Sequence, residues 1–328
     1  MTAVLSRLFL LASLLMGLLA GSNAHAQSFP ERNVTLVVTS AAGALTDVLT
    51  RAVAQRLSEI WKQSVIVENR SGAGYSIAAQ AVMRAEHDGH TLLASETAIW
   101  SIQPHLQAKE RLNYDAEKDF VPVSGYGTIP MAILVNPSVP VNSLTELIAL
   151  AKAKPGAVTF GTSGVGTALH VAALQLQNLA GIQITPVHYR GAAPALTDVL
   201  SGHVNAVIMG PSVALSSVKE GKLKMLAFGS AQRMPQFPDV PTFAEIVPGY
   251  EAAVSFGLFA AAGTPADVVR KVNADVQKIV NDPEFQKQYF ERFAVQPITG
   301  PPESFAEYLR HESARWGSVI KAANVKLD

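Results

Sequence analysis

Two short segments, rich in glycine and small hydroxyl residues, could together bind an anion. Residues 40–47 contain Gly43, and residues 161–167 end at Thr167. Each follows an apolar run and precedes a helical pattern, which places backbone N–H groups at a helix N-terminus. Those N–H groups have no partner inside the helix, and the helix dipole favours negative charge there. Two such segments in different halves of the chain predict two half-sites that close on one carboxylate.

Each segment also has a simpler interpretation. Thr46 or Asp47 could be only the N-cap of the first helix, although a cap can also hold a loop whose amides bind a ligand. Residues 161–167 nearly match a phosphate-binding loop, but Thr167 stands where that motif has lysine. The missing lysine argues against nucleotide hydrolysis. A flexible turn between a strand and a helix is the alternative interpretation of the second segment.

A third glycine-rich turn covers residues 69–76 and follows a predicted strand at 65–68. In a parallel sheet this turn would lie at the same edge as Gly43, where open α/β sheets bind their ligands. Tyr75, within the turn, could cover a ligand with its ring or pack in the core. Asp198 could face the site or lie on a helix surface.

The sequence shows no constellation typical of an enzyme. It has no Gly-x-Ser-x-Gly elbow and no His-Glu-x-x-His motif. His170, close to the second segment, is the one candidate for a base. We therefore predict a binding protein, with a cleft enzyme on the same fold as a remote alternative.

Short apolar runs alternate with helical patterns, which is typical of α/β folds with largely parallel sheets. Strands are predicted at 34–39, 65–68, 91–94, 131–135, 158–161, 184–188, 206–209, 225–229 and 256–260. Helices are predicted at 47–59, 76–84, 143–153, 167–179, 193–201, 211–220, 265–281, 283–293 and 301–323. We expect residues 27–127 with 230–328 to form one lobe and 128–229 to form the other. The helices from residue 265 onward should cover the sheet of the first lobe.

Composition excludes several classes of protein. The chain has 26 basic and 26 acidic side chains and no cysteine. A nucleic-acid-binding protein would carry a strong basic excess. We predict no cofactor and no metal site. Residues 1–26 are typical of a secretory signal peptide, with Arg7 before an apolar run over 8–19 and small residues at Ala24 and Ala26. We expect cleavage near Ala26 and a periplasmic location.

Several ordered blocks together resemble the Bug (TctC-like) family, the extracytoplasmic solute receptors of tripartite tricarboxylate transporters. The blocks lie at 42–47, 67–74, 88–92, 163–170, 189–194, 226–227, 238–243 and 263–265. The resemblance covers essentially the whole mature sequence. It implies the type II periplasmic binding protein architecture, a Venus flytrap of two α/β lobes joined by a hinge. It also implies a small carboxylate ligand, membrane permease subunits as partners, a monomeric receptor and no nucleic acid.

The resemblance implies that one side of the cleft is lined by Gly43, Ala44, Thr46 and Asp47, and the other by Ser163, Gly164, Gly166, Thr167 and Asp198. With their neighbours in the sequence, we predict that the ligand-binding residues also include Ala42, Tyr75, Ser95, Glu96, His170 and Tyr189.

Four residues depart from the usual pattern of the family. Ala44 stands where a second glycine is usual, Tyr75 where a small glycine is common, and Glu96 in a turn that is usually neutral. Phe256 lies where tryptophan is frequent. If these side chains face the cleft, an aromatic or amino-bearing carboxylate becomes an alternative to a simple dicarboxylate. A ligand-responsive sensor, rather than a transport receptor, is a second alternative from the sequence.

Overall fold

The computed structural model describes residues 29–107, 112–230, 232–234, 237–323 and 325. The predicted signal peptide, 1–26, lies outside the described residues. Within those ranges no helix is both long enough and apolar enough to cross a membrane. The described chain forms two five-stranded sheets, each covered by helices.

The first sheet has the order β2-β1-β3-β10-β4. Its strands are β1 (Val34–Val38), β2 (Val65–Asn69), β3 (Thr91–Glu96), β4 (Phe120–Pro130) and β10 (Ala253–Ala261). Strand β1 pairs in parallel with β2 and with β3, whereas β10 is antiparallel to both β3 and β4. The carboxyl ends of β1, β2 and β3 therefore meet at one edge.

The second sheet repeats this plan with the order β7-β6-β8-β5-β9. Its strands are β5 (Ala132–Val135), β6 (Thr159–Thr162), β7 (Thr185–His188), β8 (Ala206–Met209) and β9 (Lys224–Phe228). Strand β6 is parallel to β7 and β8, and β5 runs antiparallel to β8 and β9. All nine predicted strands are present, so the α/β prediction is confirmed.

The helices of the first half are α1 (Leu45–Trp61), α2 (Ser76–Met83), α3 (Ala98–Ser101), α4 (Gln103–Leu106), α5 (Ala116–Asp119), α6 (Leu144–Ala153) and α7 (Ala168–Ala180). Those of the second half are α8 (Ala192–Leu200), α9 (Leu215–Lys219), α10 (Ala266–Val280), α11 (Pro283–Phe285), α12 (Glu291–Phe293) and α13 (Pro302–Ala322). Residues 286–290 form a π-helical turn between α11 and α12. Ser143 fixes the N-terminus of α6, because its hydroxyl accepts a hydrogen bond from the Glu146 amide at 3.1 Å.

Strand β4 was not predicted, because Pro122, Gly125 and Gly127 interrupt its pattern. Its pairing with β10 is irregular at two places, where the register shifts. A side chain at Gly125 would overlap Ile298 and Phe305, and one at Gly127 would overlap Val295. The glycines therefore allow the C-terminal segment to pack closely against an edge strand.

Each sheet is buried between helices. Helices α1 and α10 pack with β1 and β4 through residues such as Leu49 and Val272, and α2 packs on the other face of the first sheet. Helix α13 bridges the lobes, since Phe305 and Leu309 lie in a core of the first sheet, whereas Trp316 lies in the core of the second. The C-terminal block covers the first sheet as predicted, but the end of α13 also packs against the second lobe.

The two lobes are joined at a three-segment crossing. The Met131 amide donates to the Ala252 carbonyl at 2.8 Å, and the Gly229 amide donates to the Met131 carbonyl at 2.7 Å. The Ala252 amide in turn donates to the Gly229 carbonyl at 3.3 Å. A Cβ at Gly229 would overlap the Ala252 backbone, so this approach requires glycine.

Candidate functional site

The first loop, residues 39–44, ends at a helix start without a side-chain cap. Ala44 is the N-cap of α1, with φ −67° and ψ 157°, and its methyl group accepts no hydrogen bond. The first helical hydrogen bond runs from the Val48 amide to the Ala44 carbonyl at 2.9 Å. The amides of Leu45, Thr46 and Asp47 therefore lack intrahelical partners. Neither Thr46 nor Asp47 is the N-cap, so that interpretation is wrong.

Asp47 is turned into the protein and shapes the loop. Its Oδ2 accepts from the Gly43 amide at 2.9 Å, and its Oδ1 accepts from Asn69 at 2.8 Å and from Arg51 Nε at 3.0 Å. Burial raises the pKa of Asp47, but the hydrogen bonds from Arg51, Gly43 and Asn69 outweigh it and leave the pKa lowered. Asp47 is therefore a charged clamp between the loop, α1 and β2.

The clamp determines which donors of the first loop remain available. The Gly43 amide is engaged by Asp47, and the Ala44 amide donates to the Ala41 carbonyl at 3.2 Å. Ala42 and Gly43 are exposed, and Gly43 has φ +83°, which only glycine adopts without strain. The donors offered to a ligand are thus the amides of the first turn of α1.

Glu96 lies beside that first turn. The Thr46 hydroxyl donates to Glu96 Oε1 at 3.4 Å, and the Tyr75 hydroxyl donates to Glu96 Oε2 at 3.1 Å. The pKa of Glu96 is raised overall, because burial outweighs the lowering effect of the hydrogen bonds from Tyr75 and Thr46. Ser95 is fully buried, with its Oγ 3.0 Å from the Thr39 hydroxyl. Ser95 therefore ties β3 to the end of β1.

The second loop, residues 163–167, is built on two glycines with positive φ. Gly164 has φ +132° and Gly166 has φ +72°. Thr167 is the N-cap of α7, yet its hydroxyl donates to the Gly164 carbonyl at 2.8 Å and does not cap the helix. The first-turn amides of α7 are therefore also without intrahelical partners. Ser163 is half-buried in the same loop.

His170 supports this loop from behind. Its Nδ1 accepts from the Gly166 amide at 3.0 Å, and its ring lies edge-on to His188, with centroids 4.7 Å apart. Burial and the neighbouring His188 lower the pKa of His170 to about 4, so the ring is neutral at pH 7. His188 Nδ1 lies 2.7 Å from the Thr162 hydroxyl, which is completely buried and cannot reach a solute.

A third helix start without a side-chain cap lies in the second lobe. Gly191, with φ +132°, is the N-cap of α8 and has no side chain to cap it. The sequence predicted this helix at 193–201, but it did not assign Gly191 to the site. The Tyr189 hydroxyl donates to Asp198 Oδ2 at 2.6 Å, and this contact, with burial as the larger cause, raises the pKa of Tyr189 to about 12. Tyr189 and Asp198 thus brace the β7–α8 loop together.

The two lobes line one small, partly open cavity with a free volume of about 10 Å³, which is room for about one water molecule. Glu96 and Thr97 line it from the first lobe, and Ala168, the first residue of α7, lines it from the second. Phe256 does not face this space. It is 2% exposed and stacks on Tyr126 in the core of the first lobe, with centroids 6.2 Å apart. The expectation that Phe256 helps select the ligand is therefore wrong.

The arrangement offers several neutral hydrogen-bond donors for an anion. Within the described ranges, no group of three or more His, Asp or Glu side chains could hold a metal ion. The first-turn amides of α1 and α7 are donors of the kind that suits an oxyanion.

Comparison with known proteins identifies the family. Residues 49–325 match the tripartite tricarboxylate transporter family receptor. A protein of Bordetella bronchiseptica is 34% identical over 98% of this chain and 94% of its own length. Protein BugT of Bordetella pertussis is 32% identical over 92% of each chain.

Solved structures agree in fold. R. palustris Rpa4515 with adipate has a TM-score of 0.80 and 34% identity, covering 91% of this chain and 100% of its own. MatC from Rhodopseudomonas palustris with bound malate has a TM-score of 0.75 and 29% identity, covering 89% and 100%. Periplasmic binding protein BugD has a TM-score of 0.76 and 29% identity, covering 91% and 100%, and with the two sheet-and-helix bodies this confirms the predicted fold. The chain is a member of the tripartite tricarboxylate transporter receptor family and is a solute-binding protein.

Proposed function

We propose that this protein is a periplasmic receptor that captures a small carboxylate between its lobes. It then delivers the ligand to the membrane permease subunits of a tripartite tricarboxylate-type transporter. The observation that carries the proposal is the set of helix starts at Ala44, Thr167 and Gly191, none of which is capped by a side chain. Adipate and malate, held by two solved relatives, are both small carboxylates and support the same class of ligand.

The proposed contacts use both lobes. The first-turn amides of α1 hold the carboxylate from one side, and those of α7, with the loop from Ser163 to Thr167, hold it from the other. Because the bound anion contacts both lobes, it stabilises the closed arrangement by its differential affinity. Such binding needs no nucleophile, and we propose that the protein is a monomeric receptor without catalytic activity.

The lobe limits are part of the proposal. The sequence predicts 27–127 with 230–328 for the first lobe and 128–229 for the second. The pairing of β4 up to Pro130, followed by β5 from Ala132, supports a first crossing at Met131. Phe243 and Tyr250 pack in the core of the second sheet, which supports a return crossing near Ala252. We therefore place the crossings at Met131 and Ala252.

Proline scanning of helix starts tests the proposal directly. Proline is compatible with the first helical position but removes its N–H. Ala168→Pro in α7 should therefore delete one donor and leave the helix intact, since Thr167 already has the extended conformation that precedes proline, with φ −76° and ψ 163°. Ala266→Pro, an exposed first position in α10, is the matched control.

The assay is a thermal-shift screen of adipate, succinate, malate, aromatic carboxylates and amino carboxylates. A ligand at 100-fold its dissociation constant should stabilise the wild type by about 2.7 kcal/mol. We expect Ala168→Pro to lower the affinity for the ligand by about tenfold or more, since a hydrogen bond to a charged group is worth roughly 1.5–3 kcal/mol. Ala266→Pro should bind normally. Equal affinity in the two variants would remove α7 from the site, and no shift with any carboxylate would refute the proposal.

A further inference from the structure

Glu96 places an acidic group next to the helix starts of the proposed site. It is the last residue of β3, at the carboxyl edge of the sheet, and it lines the same cavity as Ala168. The amides of α1 and α7 favour an anion at this edge. Glu96 therefore adds a negative charge next to the first turn of α1, in the cavity that Ala168 of α7 also lines.

The partners of Glu96 are neutral. Its two oxygens accept from the Thr46 and Tyr75 hydroxyls, and within the described ranges Glu96 forms no ion pair. By contrast, the buried acid Asp47 is paired with Arg51 at 3.0 Å. A partly buried carboxylate without a cationic partner is costly, so a cation that arrives with the ligand would bind favourably.

Tyr75, one of these partners, has a strained backbone conformation. Tyr75 has φ +74°, and it follows Ala73 at +46° and Gly74 at +58°, which makes three left-handed residues in succession. A left-handed conformation is unfavourable for a residue with a side chain, because Cβ comes too close to the backbone. Such strain persists where surrounding contacts enforce it, and here it brings the Tyr75 hydroxyl onto Glu96 Oε2. The carboxylate is thus fixed in orientation at the cavity.

We infer that Glu96 selects a ligand that carries a cationic amine in addition to its carboxylate. The inference rests on the proposed function. The helix amides bind the carboxylate of the ligand, and Glu96 accepts hydrogen bonds from its ammonium group. A second carboxylate at that end would face Glu96 and be repelled. The favoured class is therefore an amino carboxylate, and a dicarboxylate of the same length is disfavoured.

Matched ligand pairs test this assignment by calorimetric titration at pH 8. Adipate is compared with 5-aminopentanoate, and succinate with 3-aminopropanoate, so that only one end group changes within each pair. An aromatic pair, isophthalate and 3-(aminomethyl)benzoate, covers a ring-bearing ligand. The proteins are the wild type, Glu96→Gln, Glu96→Asp and the control Glu86→Gln, which removes an exposed carboxylate paired with Arg32.

We expect the wild type to bind the amine of at least one pair at least tenfold more tightly than its dicarboxylate. Glu96→Gln should reduce that ratio at least tenfold, while Glu96→Asp, which keeps the charge, and Glu86→Gln should preserve the amine preference. Circular dichroism and the melting midpoint establish that each variant is folded. A ratio that Glu96→Gln leaves unchanged, or a wild type that prefers dicarboxylates, overturns the inference and leaves the proposed function standing. Failure of every probe to bind the wild type would instead refute carboxylate capture itself.

Discussion

The charged clamp at Asp47 can be tested by the substitution Asp47→Asn, which keeps size and removes charge. The amide oxygen can still accept from Asn69 and Arg51, but the new NH₂ group then faces the Gly43 amide, where Oδ2 accepted at 2.9 Å. Two donors are left facing each other in a site where Asp47 is 3% exposed. The structure therefore predicts the loss of one charge-assisted hydrogen bond and the burial of an unsatisfied donor.

The magnitude follows from these contacts. A hydrogen bond to a charged group is worth roughly 1.5–3 kcal/mol, and an unsatisfied buried donor costs a further 1–3 kcal/mol. Because Arg51 is half-exposed, we discount its ion pair and expect a loss of about 2–4 kcal/mol in unfolding free energy. At roughly 2 °C for each kcal/mol, the melting midpoint should fall by about 4–8 °C.

Urea unfolding and differential scanning calorimetry measure this loss. Asp267→Asn is the matched control, because Asp267 is an exposed acid in the first turn of α10. The control should change stability by no more than about 0.5 kcal/mol. If Asp47→Asn were as mild as the control, the clamp would contribute no stability and the reasoning about the first loop would be refuted.

Three further predictions concern the crossing and the titrating groups. Gly229→Ala forces a methyl onto the Ala252 backbone and should cost about 1–3 kcal/mol in urea unfolding. The pKa of His170 falls to about 4 on folding, so His170 should contribute about 3 kcal/mol to the loss of stability from pH 6.5 to 4, and His170→Asn should remove that contribution. Folding raises the pKa of Glu96, so the folded protein loses stability as the pH rises through the raised pKa. Glu96→Gln should therefore melt at a higher temperature than the wild type at pH 8 and lose this advantage below pH 4.5.

Each of these has a result that counts against it. Gly210→Ala, at φ −56° with its nearest neighbour at 3.4 Å, is the control for the crossing, and equal stability of the two glycine variants would exclude a steric requirement at Gly229. Parallel pH profiles of the wild type and His170→Asn would mean that His170 is not kept neutral by folding. A lower midpoint for Glu96→Gln at pH 8 would mean that the charged form of Glu96 is stabilised in the fold.

Much of the fold was predictable because local signals agree with tertiary structure. Each of the nine predicted strands is present, and the helix predicted at 143–153 begins after its N-cap, Ser143. Strand β4 was missed because its prolines and glycines do not look like a strand pattern. Gly125 is needed there because the C-terminal segment packs too closely for a side chain. That information lies far away in the chain, so no local pattern could supply it.

The candidate site was predicted in outline, but the directions of its side chains were not. The glycine loops and the helix starts follow from sequence, whereas the inward turn of Asp47 depends on Asn69 and Arg51 meeting it from two elements. The burial of Phe256 depends on its stacking with Tyr126 across the sheet. The left-handed φ of Tyr75 runs against its own preference, so only tertiary contacts could reveal it.

Carboxylate capture between the lobes can be observed in a crystal structure with the carboxylate that gives the largest thermal shift. We expect one carboxylate group between the lobes, with its oxygens within about 2.7–3.2 Å of first-turn amide nitrogens of both α1 and α7. A carboxylate bound to one lobe alone, or bound away from both helix starts, would refute capture by the two helices.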